Sequence, residues 1–305
     1  MDGAPLHRIA MMLRARPVAL LPAAFEAIDR QLSAAISARW TGGYGVEKLN
    51  VEKLKSASQP AAEGGPAGSP SEPRKPPYTL PVPGVAAVLL RGVCGRHLSG
   101  LAMECGGCDV DRVAAALAAA NADPAVRAIV LECDSPGGSV AGVDDCARAV
   151  RGSAKPVVAY CPDLCASAAY WIASQADLVV CGATAEIGSV GVYCAYLDQS
   201  RAYDRAGLSV DVIASGAQKG VGTPGTSLSE AQRALMQAQV DEVAGIFAAA
   251  VLSARPQADR ELFDGRCLIG AGAVASGFAD EVGDALSAAS LALQLADIAE
   301  GKGNV

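Results

Sequence analysis

From Val85 onward the chain alternates short, thoroughly apolar runs with segments of helical periodicity, and this restricts the available folds more than any other feature. Residues 85–90, 128–133, 157–161, 178–181, 190–196 and 210–213 read as strands, with helical patterns at 110–120, 140–150, 166–174 and 198–206. Strands that are apolar throughout, rather than at every second position, are buried on both faces. The expected body is therefore α/β with a largely parallel sheet. A long amphipathic helix follows over 227–252, opened by the capping pattern Ser227-Leu-Ser-Glu230, and two shorter helices close the chain near 270–276 and 284–298.

The 305 residues, 51% hydrophobic and 19% charged, are enough to bury a full core. Aromatics make up only 4%, so Val, Leu, Ile and Ala must do most of the packing. Residues 1–60 hold 8 Lys/Arg against 5 Asp/Glu, and the remainder 17 against 27. An acidic body of this kind is unsuited to nucleic acid.

Three regions are expected. In residues 1–54, Leu21, Phe25, Ile28, Leu32 and Ile36 line one face of a helix, which packs on its own body or docks a partner or neighbouring subunit. Residues 55–81 are a Pro/Gly/Ser-rich linker, and 82–305 form the body. Residues 8–25 imitate a signal peptide, but Pro22 breaks a short apolar run, so export is not expected. No stretch reaches the ~18 consecutive apolar residues of a membrane helix, and no membrane span is expected.

Ten cysteines lie mostly inside apolar patterns, for example Cys133, Cys146, Cys161, Cys181 and Cys194, and read as buried reduced thiols. Cys105-Gly-Gly-Cys108 has no second pair and no nearby His, so neither a metal nor a cofactor is expected. Cys165 lacks a base beside it and reads as packing.

Chemistry concentrates after the second strand. In Asp134-Ser-Pro-Gly-Gly-Ser139, Gly137 and Gly138 let backbone N–H groups point outward, as an oxyanion requires, although a Gly-Gly turn alone is equally an ordinary connection. Ser167, in Cys165-Ala-Ser-Ala-Ala-Tyr-Trp171, is either a nucleophile or a serine packed in a helix. A nucleophile needs a base. The two histidines, His7 and His97, both precede Ser167, which speaks against a Ser-His-Asp triad without excluding it. Between Ser167 and the C-terminus only Lys219 and Lys302 are available, and Lys302 lies in the polar tail. Lys219 reads as a solvated loop lysine, or, if drawn into an apolar site, as a general base with a depressed pKa. Ser189, in Ile187-Gly-Ser-Val-Gly191, is a turn serine or a hydroxyl that holds the lysine amine toward Ser167.

Asp-Ser-Pro-Gly-Gly, Ala-Ser-x-x-Tyr-Trp, Ile-Gly-Ser-Val-Gly-Val and Ser-Gly-x-x-Lys, in this order over roughly residues 82–285, resemble the signal peptide peptidase A or protease IV family of Ser-Lys peptidases. Asp264-Gly-Arg-Cys-Leu-Ile-Gly270 and Ala275-Ser-Gly-Phe-Ala-Asp280 are similar to its closing segment. The resemblance implies a Clp protease/crotonase-like fold of β-β-α units and an endopeptidase without metal or cofactor. Its nucleophile would be Ser167, its base Lys219 and its orienting hydroxyl Ser189, with oxyanion N–H donors at Gly138, Ala168 and the Gly137 turn. Many members have glycines where this chain has Ala168-Ala169, which narrows the site.

The helical extension and proline-rich linker resemble the phage and prophage capsid proteases of that family. A homo-oligomer acting on protein or peptide substrates is implied, with capsid scaffold or portal proteins as partners, in the host cytoplasm or virion. Rival readings are a signal-peptide-degrading peptidase, a crotonase-like acyl-CoA enzyme and an inactive capsid component.

Overall fold

The computed structural model describes residues 18–20 and 76–301. Its central sheet opens with β2 (Thr79–Val82) and β3 (Val85–Arg91), an antiparallel pair joined through Pro83-Gly84, where Gly84 takes φ 81°. β6 (Ala128–Asp134), β8 (Val157–Cys161), β10 (Leu178–Cys181) and β13 (Glu281–Val282) complete six strands in the order β13-β10-β8-β6-β3-β2. All neighbouring pairs except β2–β3 run parallel.

Each main strand passes into one or two short strands of a second layer. β4 (Val93–Gly95) and β5 (Gly107–Asp109) follow β3, with α1 (Gly100–Glu104) between them. β7 (Gly137–Ser139) follows β6, β9 (Leu164–Ala166) follows β8, and β11 (Glu186–Gly188) follows β10. The helices α2 (Val110–Ala122), α3 (Val143–Arg151) and α4 (Ala168–Ala173) then return the chain to the sheet. This strand-strand-helix repeat is the expected Clp/crotonase-like architecture. The short strands form two small sheets, β1-β7-β4-β5 with β1 at Val18–Leu20, and β12-β11-β9 with β12 at Cys267–Ile269.

Burial explains why the repeat closes. The larger apolar cluster fills the space between the sheet and α2, α3 and α4, with Leu90, Leu117, Ile129, Leu131 and Trp171 fully buried. On the opposite face, α8 (Ala285–Ala299) sets Ala288, Ala289, Ala292 and Ala296 against Val85, Ala128, Val130, Val158 and Val180. A stripe of methyl groups lets helix and sheet approach closely, which is how a core poor in aromatics reaches high density. Asp284 and Ser287 close a capping box at the start of α8.

Several boundaries differ from the sequence reading. Thr79–Val82 joins the sheet from within the stretch read as linker. Part of the segment 166–174 is strand β9, which leaves Ser167 as the turn before a shorter helix. Residues 190–196 and 210–213 are not strands: Tyr193 makes an isolated bridge, and neither segment joins a ladder among the described residues. The long helix α6 (Glu230–Ala254) is capped by Ser229 and Gln232 rather than Ser227, because Ser229 Oγ is the one three residues before a free N–H. The helix read over Leu21–Ile36 lies outside the described residues.

α6 follows α5 (Ser200–Arg205) and buries only Phe247 and Val251. Phe247 stacks on Trp171 at 4.8 Å and 6°, fixing the C-terminal part of α6 to α4. By length and composition alone α6 could cross a membrane, although its apolar residues form no unbroken run. Asp241 and Glu242 lie in its middle, where bilayer burial is costly. Beyond α6, α7 (Ala271–Ala275) leads from β12 toward β13.

Candidate active site

The site is assembled where three β-β-α units end side by side. At the end of β6, Ser135 is fully buried and its hydroxyl donates to the Gly92 carbonyl at 2.6 Å. The same oxygen accepts the Gly137 N–H at 3.1 Å. The Gly137 N–H is thereby engaged as a brace, and the N–H groups that follow it in the turn are the ones set by that brace. Gly137 takes φ 93°, and a Cβ on Gly138 would lie 2.0 Å from the Cys94 carbonyl oxygen, so the backbone requires glycine at both positions.

Ser135 also pairs with Cys165 of β9, through Ser135 N–H to Leu164 O at 2.7 Å and Ala166 N–H to Ser135 O at 3.0 Å. That pairing ties the glycine turn to the segment carrying Ser167. Ser167 stands at the N-cap of α4, 1% exposed, with φ 56° and ψ −121°. A non-glycine residue held there costs about 1–3 kcal/mol, which the surrounding packing must over-determine. Its side chain makes no capping hydrogen bond, so the hydroxyl is not spent on the helix. The Ala168 N–H, in the first turn of α4, has no intrahelical acceptor. α4 packs against β7, placing this N-terminus beside the glycine turn.

Ser189 comes from the third unit. β11 runs parallel to β9 with Gly188 opposite Ala166, and Ser167 N–H donates to Gly188 O at 2.7 Å, so Ser167 and Ser189 leave adjacent strand ends together. Ser189 is 5% exposed, has φ 51°, and donates its N–H to Arg266 O at 2.8 Å. Ser135 was not singled out by sequence as a site residue, and the segment around Arg266 was named for its resemblance but given no role. For Ser135 the available signal was a small hydroxyl residue at a strand end before Pro-Gly-Gly.

Lys219 is not brought to this cluster within one chain. It lies on the exposed turn 216–220, where its N–H donates to Gly216 O at 2.9 Å. There it lines an open cleft of about 510 Å³ with Val210, Asp211, Val212 and Gln232. Within the single chain Lys219 is thus a loop lysine open to solvent, and the segment 191–246 around it contains no buried residue. His97 does not replace it: 81% exposed, its Nδ1 faces Asp111 at 3.2 Å.

Beneath Ser167, the sulfurs of Cys133, Cys161 and Cys165 lie within 4.8 Å of one another, all buried. Burial, then the neighbouring Cys133 and Cys161, holds Cys165 well above the ordinary thiol range, which suits packing rather than attack. Cys105 is exposed and Cys108 buried, and all ten cysteines are free.

Head-tail preconnector protein GP5 of Enterobacteria phage P21 is 32% identical over 224 residues, 70% of this chain and 44% of that protein. Capsid assembly protease C of Escherichia phage lambda is 30% identical, over 65% of this chain and 46% of its own length. A putative signal peptide peptidase SppA of Enterococcus faecium is 29% identical, with 57% and 54% covered. The chain spans about half the length of these curated relatives. Among solved structures, a putative enoyl-CoA hydratase from Mycobacterium avium paratuberculosis K-10 aligns at TM-score 0.39 and 16% identity, covering 70% of this chain and 72% of that one. The span 149–299, from the end of α3 through α8 and holding Ser167, Ser189 and Lys219, matches the model of peptidase family S49, and the chain carries a domain of that family.

Proposed function

We propose that the protein is a serine endopeptidase working through a Ser167–Lys219 dyad completed between copies of the chain. The observation that carries the reading is Ser167 itself, a buried serine in a strained backbone conformation at a strand-to-helix turn, with its hydroxyl left free of the helix cap. Lys219 of a neighbouring copy, desolvated on assembly, takes the Oγ proton as Oγ attacks the scissile carbonyl. Ser189 orients the amine. The N–H groups of Gly138 and Ala168 receive the oxyanion, with Gly137 holding the turn through Ser135. The protonated lysine then gives its proton to the departing amine, and water, deprotonated by the same lysine, hydrolyses the acyl-enzyme.

Assembly is supported by the segment 191–246, which contains no buried residue and exposes Leu197, Leu208, Ile213, Leu235 and Ile246. Surface of that kind asks for a partner, and a second copy also supplies the missing base. The likeness to Capsid assembly protease C favours head-assembly proteins, scaffold or portal, as substrates, and a host-cytoplasm or virion setting.

A fluorophosphonate probe with peptide mapping tests the reading. Label is expected on Ser167 alone, lost in Ser167→Ala and strongly slowed in Lys219→Ala. Labelling elsewhere, or peptide cleavage by Ser167→Ala, refutes it.

A further inference from the structure

β7 has two edges. One is taken by β4, with Cys94 opposite Gly138. The other carries β1, antiparallel, with Val18 opposite Ser139, Ala19 opposite Gly138 and Leu20 opposite Gly137. The sheet order β1-β7-β4-β5 leaves β1 as the outermost strand, so a peptide reaching β7 must use the edge β1 covers.

That edge adjoins the nucleophile. α4, with Ser167 at its N-cap, packs on β7, and Gly138 is the proposed oxyanion donor. Gly137 and Gly138 present no side chain, so a backbone can approach closely. Strand addition draws its affinity from main-chain hydrogen bonds, and two strands cannot occupy one edge.

We infer that the outer edge of β7 is the strand-addition surface for substrate, and that Val18–Leu20 of the chain's own N-terminal extension is its resident occupant and competes with substrate. The inference rests on the peptidase reading above. The occupant is uncharged and aliphatic and lies between Pro17 and Pro22, which lack the N–H needed to extend the ladder. Extended segments able to pair along the main chain are the substrate class the edge fits. Because the competitor is tethered, its effect does not depend on protein concentration.

The test is a full-chain variant, Ala19→Pro with Leu20→Pro. Adjacent strand residues alternate in the direction of their N–H groups, so one of the two must face β7. An intramolecular competitor raises KM by the reciprocal of the open fraction and leaves kcat alone. The variant should therefore show KM lowered on the order of fivefold or more with kcat unchanged. A synthetic peptide of residues 16–23 should inhibit it competitively. An equal KM in both chains, or a peptide that does not compete, overturns the inference. If neither chain cleaves peptide or takes label at Ser167, the peptidase reading fails instead. Hydrogen exchange then still decides the pairing: protection of the β7 amide that faces β1 should fall in the variant, and unchanged protection at Gly138 and Ser139 alike overturns it.

Discussion

The segment from Val85 to Val190 and the segment from Gly191 to Ile246 come from one chain and obey opposite rules. The first buries most of its large apolar side chains, ties the backbone around Ser167 to Ser135 and Gly188, and ties that of Ser189 to Arg266. The second buries none, leaves Ile213 fully exposed, and carries Lys219 on an open turn. The proposed nucleophile thus sits in a finished core and the proposed base on an unfinished surface. On the proposed reading a single copy folds without being able to react, and assembly acts as the switch for activity.

Mixing dead variants is the strongest attack on this contrast. Ser167→Ala and Lys219→Ala should each lose about four orders of magnitude or more in peptide hydrolysis. If the two segments meet between copies, co-assembling the two variants restores a measurable fraction, whereas a mixture that stays inactive places both groups in one chain. Next, Gly138→Ala forces a methyl onto the Cys94 carbonyl and should lower kcat about a hundredfold or more by moving the turn, read in steady-state kinetics. A variant of normal activity would show that the turn does not serve the oxyanion.

Stability sharpens the same comparison. Asp280 pairs with the buried Arg255 and accepts the Val179 N–H at 2.7 Å, so Asp280→Ala should cost about 3–5 kcal/mol in denaturant unfolding. Ile213→Ser, on the exposed segment, should stay within about 0.5 kcal/mol, yet shift the sedimentation profile toward smaller species. The smallest effect concerns acid. The hydrogen bond from Tyr78 holds Asp123 below the usual carboxylate range, and the Ser287 N–H does the same for Asp284. A depressed carboxylate contributes stability above its unfolded pKa and loses it as pH falls through the folded value. The melting temperature should therefore decline modestly below about pH 4, and the decline should be shallower in Asp284→Asn.

The sequence made the α/β body legible because strands buried on both faces are apolar over most of their length, as at β3, β6 and β8. The same signal misled at 190–196, where Val190 and Val192 pack on the core without joining a ladder, and at 210–213, where Val212 and Ile213 lie on the surface. Ser167 and Ser189 were recognisable as candidates, yet their meeting depends on the register of β9 against β11. Ser135 works through Gly92, 43 residues earlier, a contact that local pattern does not encode. For Lys219 the sequence supplies the amine but not what dehydrates it.

The Trp171–Phe247 stack is the point at which α6 grips the core, and it lies near one end of that helix. From Phe247 to Glu230 the helix projects about 26 Å, at about 1.5 Å per residue. A tilt of roughly 10° at these two rings would sweep the distal tip through more than about 4 Å over that lever. Because Trp171 sits in the same short helix that begins at Ser167, any such swing is felt one turn from the reactive oxygen.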